Sequence, residues 1–104
     1  MANVTKKDIV EEIASRTGLT QVDTKIVVEC FLDAIARRLA EGRNIEIRGF
    51  GRFKVREKRA RMARNPRTGE AVPVEAGVKP VFEPSNELKK FLNVNYEGPL
   101  KAPV

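Results

Sequence analysis

The 104-residue sequence predicts one small α+β domain. Three observations carry that expectation. Two helix starts with matching caps follow one another before Gly42. After Gly42 the apolar spacing changes from helical to alternating, the pattern of a strand. A basic stretch, Arg52 to Arg67, then runs at strand-like spacing into a turn signal at Asn65–Gly69.

The first helix opens at Val4-Thr5-Lys6-Lys7-Asp8-Ile9. Thr5 caps it, Asp8 completes a capping box, and Val4 is placed to staple onto Ile9. Ile9, Val10, Ile13 and Ala14 form its apolar face, and Gly18 ends it. Thr20 and Asp23 repeat the start signal, so a tight turn joins two helices. The second helix is expected from Gln21 to about Glu41, with Gly42 just past its end. Ile26, Val27, Val28, Cys30, Phe31, Leu32, Ala34 and Ile35 cover about two-thirds of its circumference, against ~100° for an ordinary surface helix. One short first helix is too small to cover that arc, whereas a sheet and a second subunit suffice. Lys25, Glu29, Asp33 and Arg37 occupy the remaining strip at ion-pair spacing.

Ile45 and Ile47 alternate with Glu46 and Arg48 as a half-buried strand. Gly49-Phe50-Gly51 then bends the chain, and Phe53 and Val55 alternate with Arg52, Lys54 and Arg56. Beyond Val55 the apolar alternation stops, which marks an arm over about residues 56–77. Val72 and Val74 alternate on the return, and Pro73 demands an edge strand or a bulge. Val78, Val81 and Phe82 bring the chain back to the core. Pro84-Ser85-Asn86-Glu87 starts a last helix through about Leu92. The expected division is a domain over 1–93 and a mobile tail over 94–104, where Gly98, Pro99 and Pro103 stand.

Composition narrows the chemistry. No apolar run approaches the ~18 residues of a membrane helix, and no export signal is expected at the start. There is no histidine, which removes the commonest general base and metal ligand. The single cysteine, Cys30, permits no internal disulfide and reads as a packed core thiol. No cofactor, metal site, small-molecule substrate or catalytic residue is expected. Residues 52–67 hold eight Lys/Arg and one acid, a net +7, while the whole chain is +6. The basicity is therefore local, which points to a polyanion and above all to nucleic acid.

Taken together, Gly49-Phe50-Gly51-Arg52-Phe53, Arg61-Met62-Ala63-Arg64-Asn65-Pro66-Arg67-Thr68-Gly69-Glu70 and Phe82-Glu83-Pro84 before Leu88-Lys89 resemble the bacterial HU and integration host factor proteins. The resemblance spans about residues 2–92. It implies an intertwined dimer with an α-helical base, a three-stranded antiparallel sheet per subunit and a long β-ribbon arm. It implies a histone-like protein of the cytoplasm and nucleoid that bends duplex DNA from the minor groove, with a proline at each arm tip wedged between base pairs. The partner is then double-stranded DNA, and the second subunit is either another copy or a related chain. Two positions depart from the family pattern: Ala63 and Ser85 stand where glycine is frequent. Ser85 remains a good helix cap.

On this basis the DNA contacts are expected at Arg52, Lys54, Arg56, Lys58, Arg59, Arg61, Arg64, Asn65, Pro66, Arg67, Lys79, Ser85, Lys89 and Lys90, with Pro66 intercalating. Arg52 and Lys54 alone would suit a solvated strand face equally well. Arg59, Arg61, Arg64 and Arg67 crowd one hairpin end with few acids to offset their repulsion. Asn65 is short enough either to touch base edges or only to fix the turn. Ile26, Val27, Phe31, Ile35, Phe50, Phe53 and Phe82 are assigned to the dimer core. Single-stranded DNA or RNA binding is the alternative function. It is disfavoured because no aromatic residue lies between Phe53 and Phe82 for bases to stack on. An enzyme acting on nucleic acid is disfavoured because histidine is absent and the arm has no paired acids at metal-binding spacing, and a pure protein-interaction module leaves the +7 segment unexplained.

Overall fold

The computed structural model describes residues 2–98. Helix α1 (Lys6–Thr17) begins with the expected capping box: the Thr5 hydroxyl accepts from the Asp8 N–H, and the Asp8 carboxylate accepts from the Thr5 N–H at 2.9 Å. Val4 remains largely exposed, so the expected staple onto Ile9 buries little. Gly18, at φ 79°, adopts the left-handed turn that ends the helix. Helix α2 (Gln21–Ala40) is capped by Thr20. Its far end closes with a pair of reversed bonds: the Gly42 N–H donates to the Leu39 carbonyl, and the Arg43 N–H to that of Arg38. This Schellman arrangement needs a positive φ at Gly42, which has 79°.

The ion pairs differ from the expected ladder. Asp33 and Arg37 pair at 2.7 Å as their spacing suggests. Glu29 instead pairs with Lys6 at 3.1 Å, linking α2 to the first turn of α1 and leaving Lys25 out. Sequence spacing along one helix could not reveal the cation arriving from its neighbour.

Strands β1 (Ile45–Ile47), β2 (Gly51–Lys58) and β5 (Gly77–Pro84) form an antiparallel sheet in the order β1-β2-β5. β1 turns into β2 through Ile47–Phe50, closed by the Phe50 N–H on the Ile47 carbonyl. Gly49 supplies φ 83° at the third turn position, as a type II turn requires. Gly51 is needed for a different reason. A Cβ there would lie 2.5 Å from the Glu83 carbonyl oxygen and 2.6 Å from the Phe82 ring.

Strands β3 (Arg61–Arg64) and β4 (Ala71–Val74) pair as a second, two-stranded ladder. The two ladders share one register. Gly51↔Pro84 through Lys58↔Gly77 continues as Arg61↔Val74 through Arg64↔Ala71, with no residue gained or lost on either side. The arm is thus a single hairpin interrupted at residues 59–60 and 75–76, without a bulge. Pro73 is accommodated because β4 has only one neighbour.

Helix α3 (Asn86–Asn95) is capped by Ser85, whose hydroxyl accepts from the Leu88 N–H at 3.1 Å. It runs three residues past the expected end at Leu92. The Asn93 and Asn95 side chains donate to the Lys89 and Phe91 carbonyls, and no glycine intervenes before Gly98. The expected boundary at 93/94 therefore falls inside a helix, and the tail expectation for 99–104 lies outside the described residues.

The core of one subunit is small. Among the described residues, the buried hydrophobic side chains are Val10 and Ala14, beside buried Thr24. In the single chain Ile26, Val27 and Phe31 are each more than half exposed, and Cys30 among them is exposed too. The reason is geometric: α1 and the sheet reach only part of the α2 circumference. The radius of gyration is 19.1 Å, where a compact chain of this length has about 13 Å. Accessible surface is 9551 Å², against about 5,900 Å² for a compact monomer of 11.7 kDa.

Candidate nucleic-acid interface

Cross-strand partners share a face of a sheet, and the face alternates along each strand. That rule sorts the cations. Arg52, Lys54, Arg56 and Lys58 pair with Glu83, Val81, Lys79 and Gly77, which gives one basic face including Lys79. Phe53, Val55 and Glu57 pair with Phe82, Pro80 and Val78 on the opposite, mainly apolar face. Beyond the interruption, Arg61 has Val74 across from it and Arg64 has Ala71. The run of cations in the sequence is therefore divided between the two sides of the ribbon.

Phe82 ties the ribbon base together. Its ring lies 5.3 Å from that of Phe50 and 5.0 Å from that of Phe53, both tilted by 45°. Such tilted contacts favour aromatic packing. Phe50 and Phe82 keep part of their surface exposed in the single subunit, while Phe53 and Ile35 are half-buried.

The tip is a built turn. The register continues as the Asn65 N–H donates to the Glu70 carbonyl at 2.8 Å. The Gly69 N–H donates back to the Asn65 carbonyl at 2.7 Å, with Gly69 at φ 75°. The Asn65 side chain accepts from the Arg67 N–H at 2.9 Å, an Asx turn enclosing Pro66. Of the two roles open to Asn65, the structure provides the turn-fixing contact. Arg64 reaches across to the Gly69 carbonyl at 3.2 Å. Pro66 and Arg67 are exposed at the apex.

Not every expected contact residue is free. Lys54, only 29% exposed, pairs with Glu83 at 3.0 Å. The hydrogen bond from Lys54, and then its charge, hold the Glu83 carboxyl below the usual glutamate range, with smaller help from Arg52 and Arg56. Ser85 spends its acceptor on the α3 cap. Lys89 and Lys90 are exposed on α3, away from the ribbon tip in the chain.

The family model for bacterial DNA-binding proteins matches residues 4–93. This chain belongs to that family. It is 43% identical to the integration host factor subunit alpha of Haemophilus influenzae over 89 residues, covering 86% of this chain and 93% of the relative. It is equally similar, at 43% over 89 residues, to the DNA-binding protein HU of Lactococcus lactis, covering 86% and 96%. The fold matches an HU–DNA cocrystal structure from Anabaena with a TM-score of 0.76 at 27% identity, covering 89% of this chain and 99% of that one.

As a member of the HU and integration host factor family, the chain keeps its elements despite the two departures. Ala63 sits within β3 opposite Val72, in ordinary strand geometry with no positive φ. Ser85 caps α3 by its own side chain, a bond glycine could not make. Two features escaped the sequence reading. Arg48 joins Arg52, Glu46, Glu83, Ser85 and Asn86 around a hollow of about 400 Å³ between the β1–β2 turn and the start of α3. The signal was present in the alternation of Glu46 and Arg48. The ribbon also exposes apolar side chains among its cations: Met62 and Val72 on the arm, and at its base Val78, contrary to its expected return to the core. Among the described residues, no cluster of metal-binding side chains occurs, and no helix is long and apolar enough to cross a membrane.

Proposed function

We infer that this chain is an architectural DNA-binding protein that works as a dimer, bending duplex DNA between two ribbon arms and compacting the bacterial nucleoid. One observation carries the inference. A hairpin in a single unbroken register sets Pro66 at the apex of a ribbon that carries basic residues along its length. From Arg56 to Pro66 that ribbon extends about 33 Å at a strand's rise, enough to follow a groove around a duplex.

The minor groove is only about 6 Å wide, so a two-stranded ribbon enters only when the groove opens. A wedge at a base step opens it and kinks the helix. Pro66 suits that role: its ring is compact and apolar, and it has no N–H to leave unpaired. Arg59, Arg61, Arg64 and Arg67 then supply phosphate contacts along the arm. Arg52, Arg56, Lys58 and Lys79 do so at its base, and Lys89 or Lys90 on the flank beside α3.

The dimer follows from the uncovered apolar arc of α2. Ile26, Val27 and Phe31 stay exposed until a second subunit, a copy or a related chain, packs on them. The chemistry is binding and deformation rather than catalysis. Gel shifts with intact, nicked and single-stranded probes at several salt concentrations test the proposal. Duplex binding with a steep salt slope and a preference for nicked duplex supports it. Preference for single strands would replace it with the alternative.

A further inference from the structure

Glu83 stands apart from its surroundings. Arg52 faces two acids on the basic face of the sheet, Glu46 of β1 and Glu83 of β5, and Glu83 is the one that lies toward Lys54. Its carboxylate holds the Lys54 ammonium at 3.0 Å. It lines the same hollow as Arg48 and Arg52, next to the capped start of α3. The carboxylate holds Lys54 and is attracted by Arg52 and Arg56 on the same face at the base of the arm. A phosphate seated on this face would meet the same cations, because carboxylate and phosphate are alternative anionic partners for an ammonium or guanidinium group.

We propose that Glu83 is an affinity-setting residue, an internal competitor that occupies Lys54 in the free protein and must release it for duplex DNA to seat on the base of the arm. The proposal rests on the DNA-binding function above. Lys54 is the least exposed member of the pair, so its reach is confined to the sheet face. Arg52 and Arg56 lie on the same face and add to the attraction for Glu83. Each phosphate that replaces Glu83 must therefore first overcome an existing ion pair. Giving up an exposed pair of this kind changes a binding constant by roughly fivefold. Glu83 consequently lowers both the affinity and the apparent number of phosphates neutralised.

Salt titrations of the full chain on one intact duplex test this with three variants. Glu83→Gln keeps the size of the side chain and one acceptor oxygen but removes its charge. It should bind about fivefold tighter and steepen the salt slope by about 0.9, the increment of one further phosphate. Lys54→Gln should cost less affinity in the parent, where Glu83 already holds the ammonium, than in the Glu83→Gln background. In the Glu83→Gln background the same change should abolish the gain. Equal affinity and equal slope for Glu83→Gln and the parent overturn the proposal, as do additive effects in the double variant. If the parent binds no duplex at any salt, the DNA-binding function itself fails. Titration of the Glu83 carboxyl by NMR in the free protein remains informative in that case. A value at the ordinary glutamate position means that no Lys54 pair exists.

Discussion

Replacing Phe31 with alanine should dissolve the dimer. Phe31 leaves 54% of its surface exposed in the single subunit. A phenylalanine buries roughly 200 Å² when fully covered, so about 110 Å² awaits a partner. At about 25 cal/mol per Å² that surface contributes ~2.7 kcal/mol. A symmetric interface contains the residue twice, so the loss is about 5 kcal/mol per dimer, close to four decades in Kd. Any cavity left behind adds to it. Sedimentation velocity across nanomolar to micromolar concentrations reads the association directly. Urea unfolding at several protein concentrations supplies a second measure, because an obligate dimer shows a concentration-dependent midpoint. A Phe31→Ala protein that stays dimeric at nanomolar concentration would refute the reasoning. So would a parent chain that is a stably folded monomer at micromolar concentration.

Pro66→Ala should retain the charge, the dimer and most non-specific affinity, yet reduce both the bend and the preference for nicked duplex; fluorescence energy transfer between the ends of a short duplex reports the angle. A bend as sharp as the parent's at equal occupancy would assign the bending to charge neutralisation instead. Arg61→Ala should weaken binding to many sequences alike and flatten the log K against log salt slope by about 0.9; a changed preference for one sequence with an unchanged slope would mean base readout. Backbone order parameters over residues 56–77 should be lower than those of α1 and α2 without DNA and should rise on binding, since the ladder is interrupted at 59–60 and 75–76. Uniformly rigid values would count against that. Finally, stability should fall in acid. Asp8 is held below its ordinary range chiefly by the Thr5 backbone N–H and then by the Thr5 hydroxyl, and Glu83 chiefly by Lys54. Depressed folded values mean that their stabilisation is present above the unfolded values, about pH 4, and is lost as the pH falls through the folded ones. Urea midpoints measured from pH 7 to pH 3 check this, and Asp8→Asn should blunt the acid loss.

Local chemistry was legible in the sequence wherever a feature closes within a few residues. The Thr5–Asp8 capping box, the glycine ends at Gly18 and Gly42, the Ser85 cap and the turn around Pro66 all depend on neighbours along the chain. Backbone groups at helix and hairpin ends have few available partners, and particular residue types supply them. The strand period likewise located Ile45–Ile47 and the ribbon base. The basic character of residues 52–67 is a property of composition alone.

Only the tertiary structure decided how those residues face one another. The shared register divided the cations between two sides of the ribbon and placed Glu83 across from Arg52, beside Lys54. It carried one hairpin through a stretch where apolar alternation had stopped. Glu29 found Lys6 on another helix instead of Lys25 on its own. Cys30, apolar by its neighbours, stayed exposed in the single chain because burial depends on what else reaches that side of α2. The physical reason is common to all four. A cap or a turn is satisfied by the nearest backbone, so a few residues determine it. An ion pair, a face or a core is satisfied by whichever group arrives across space, and that follows from register and packing.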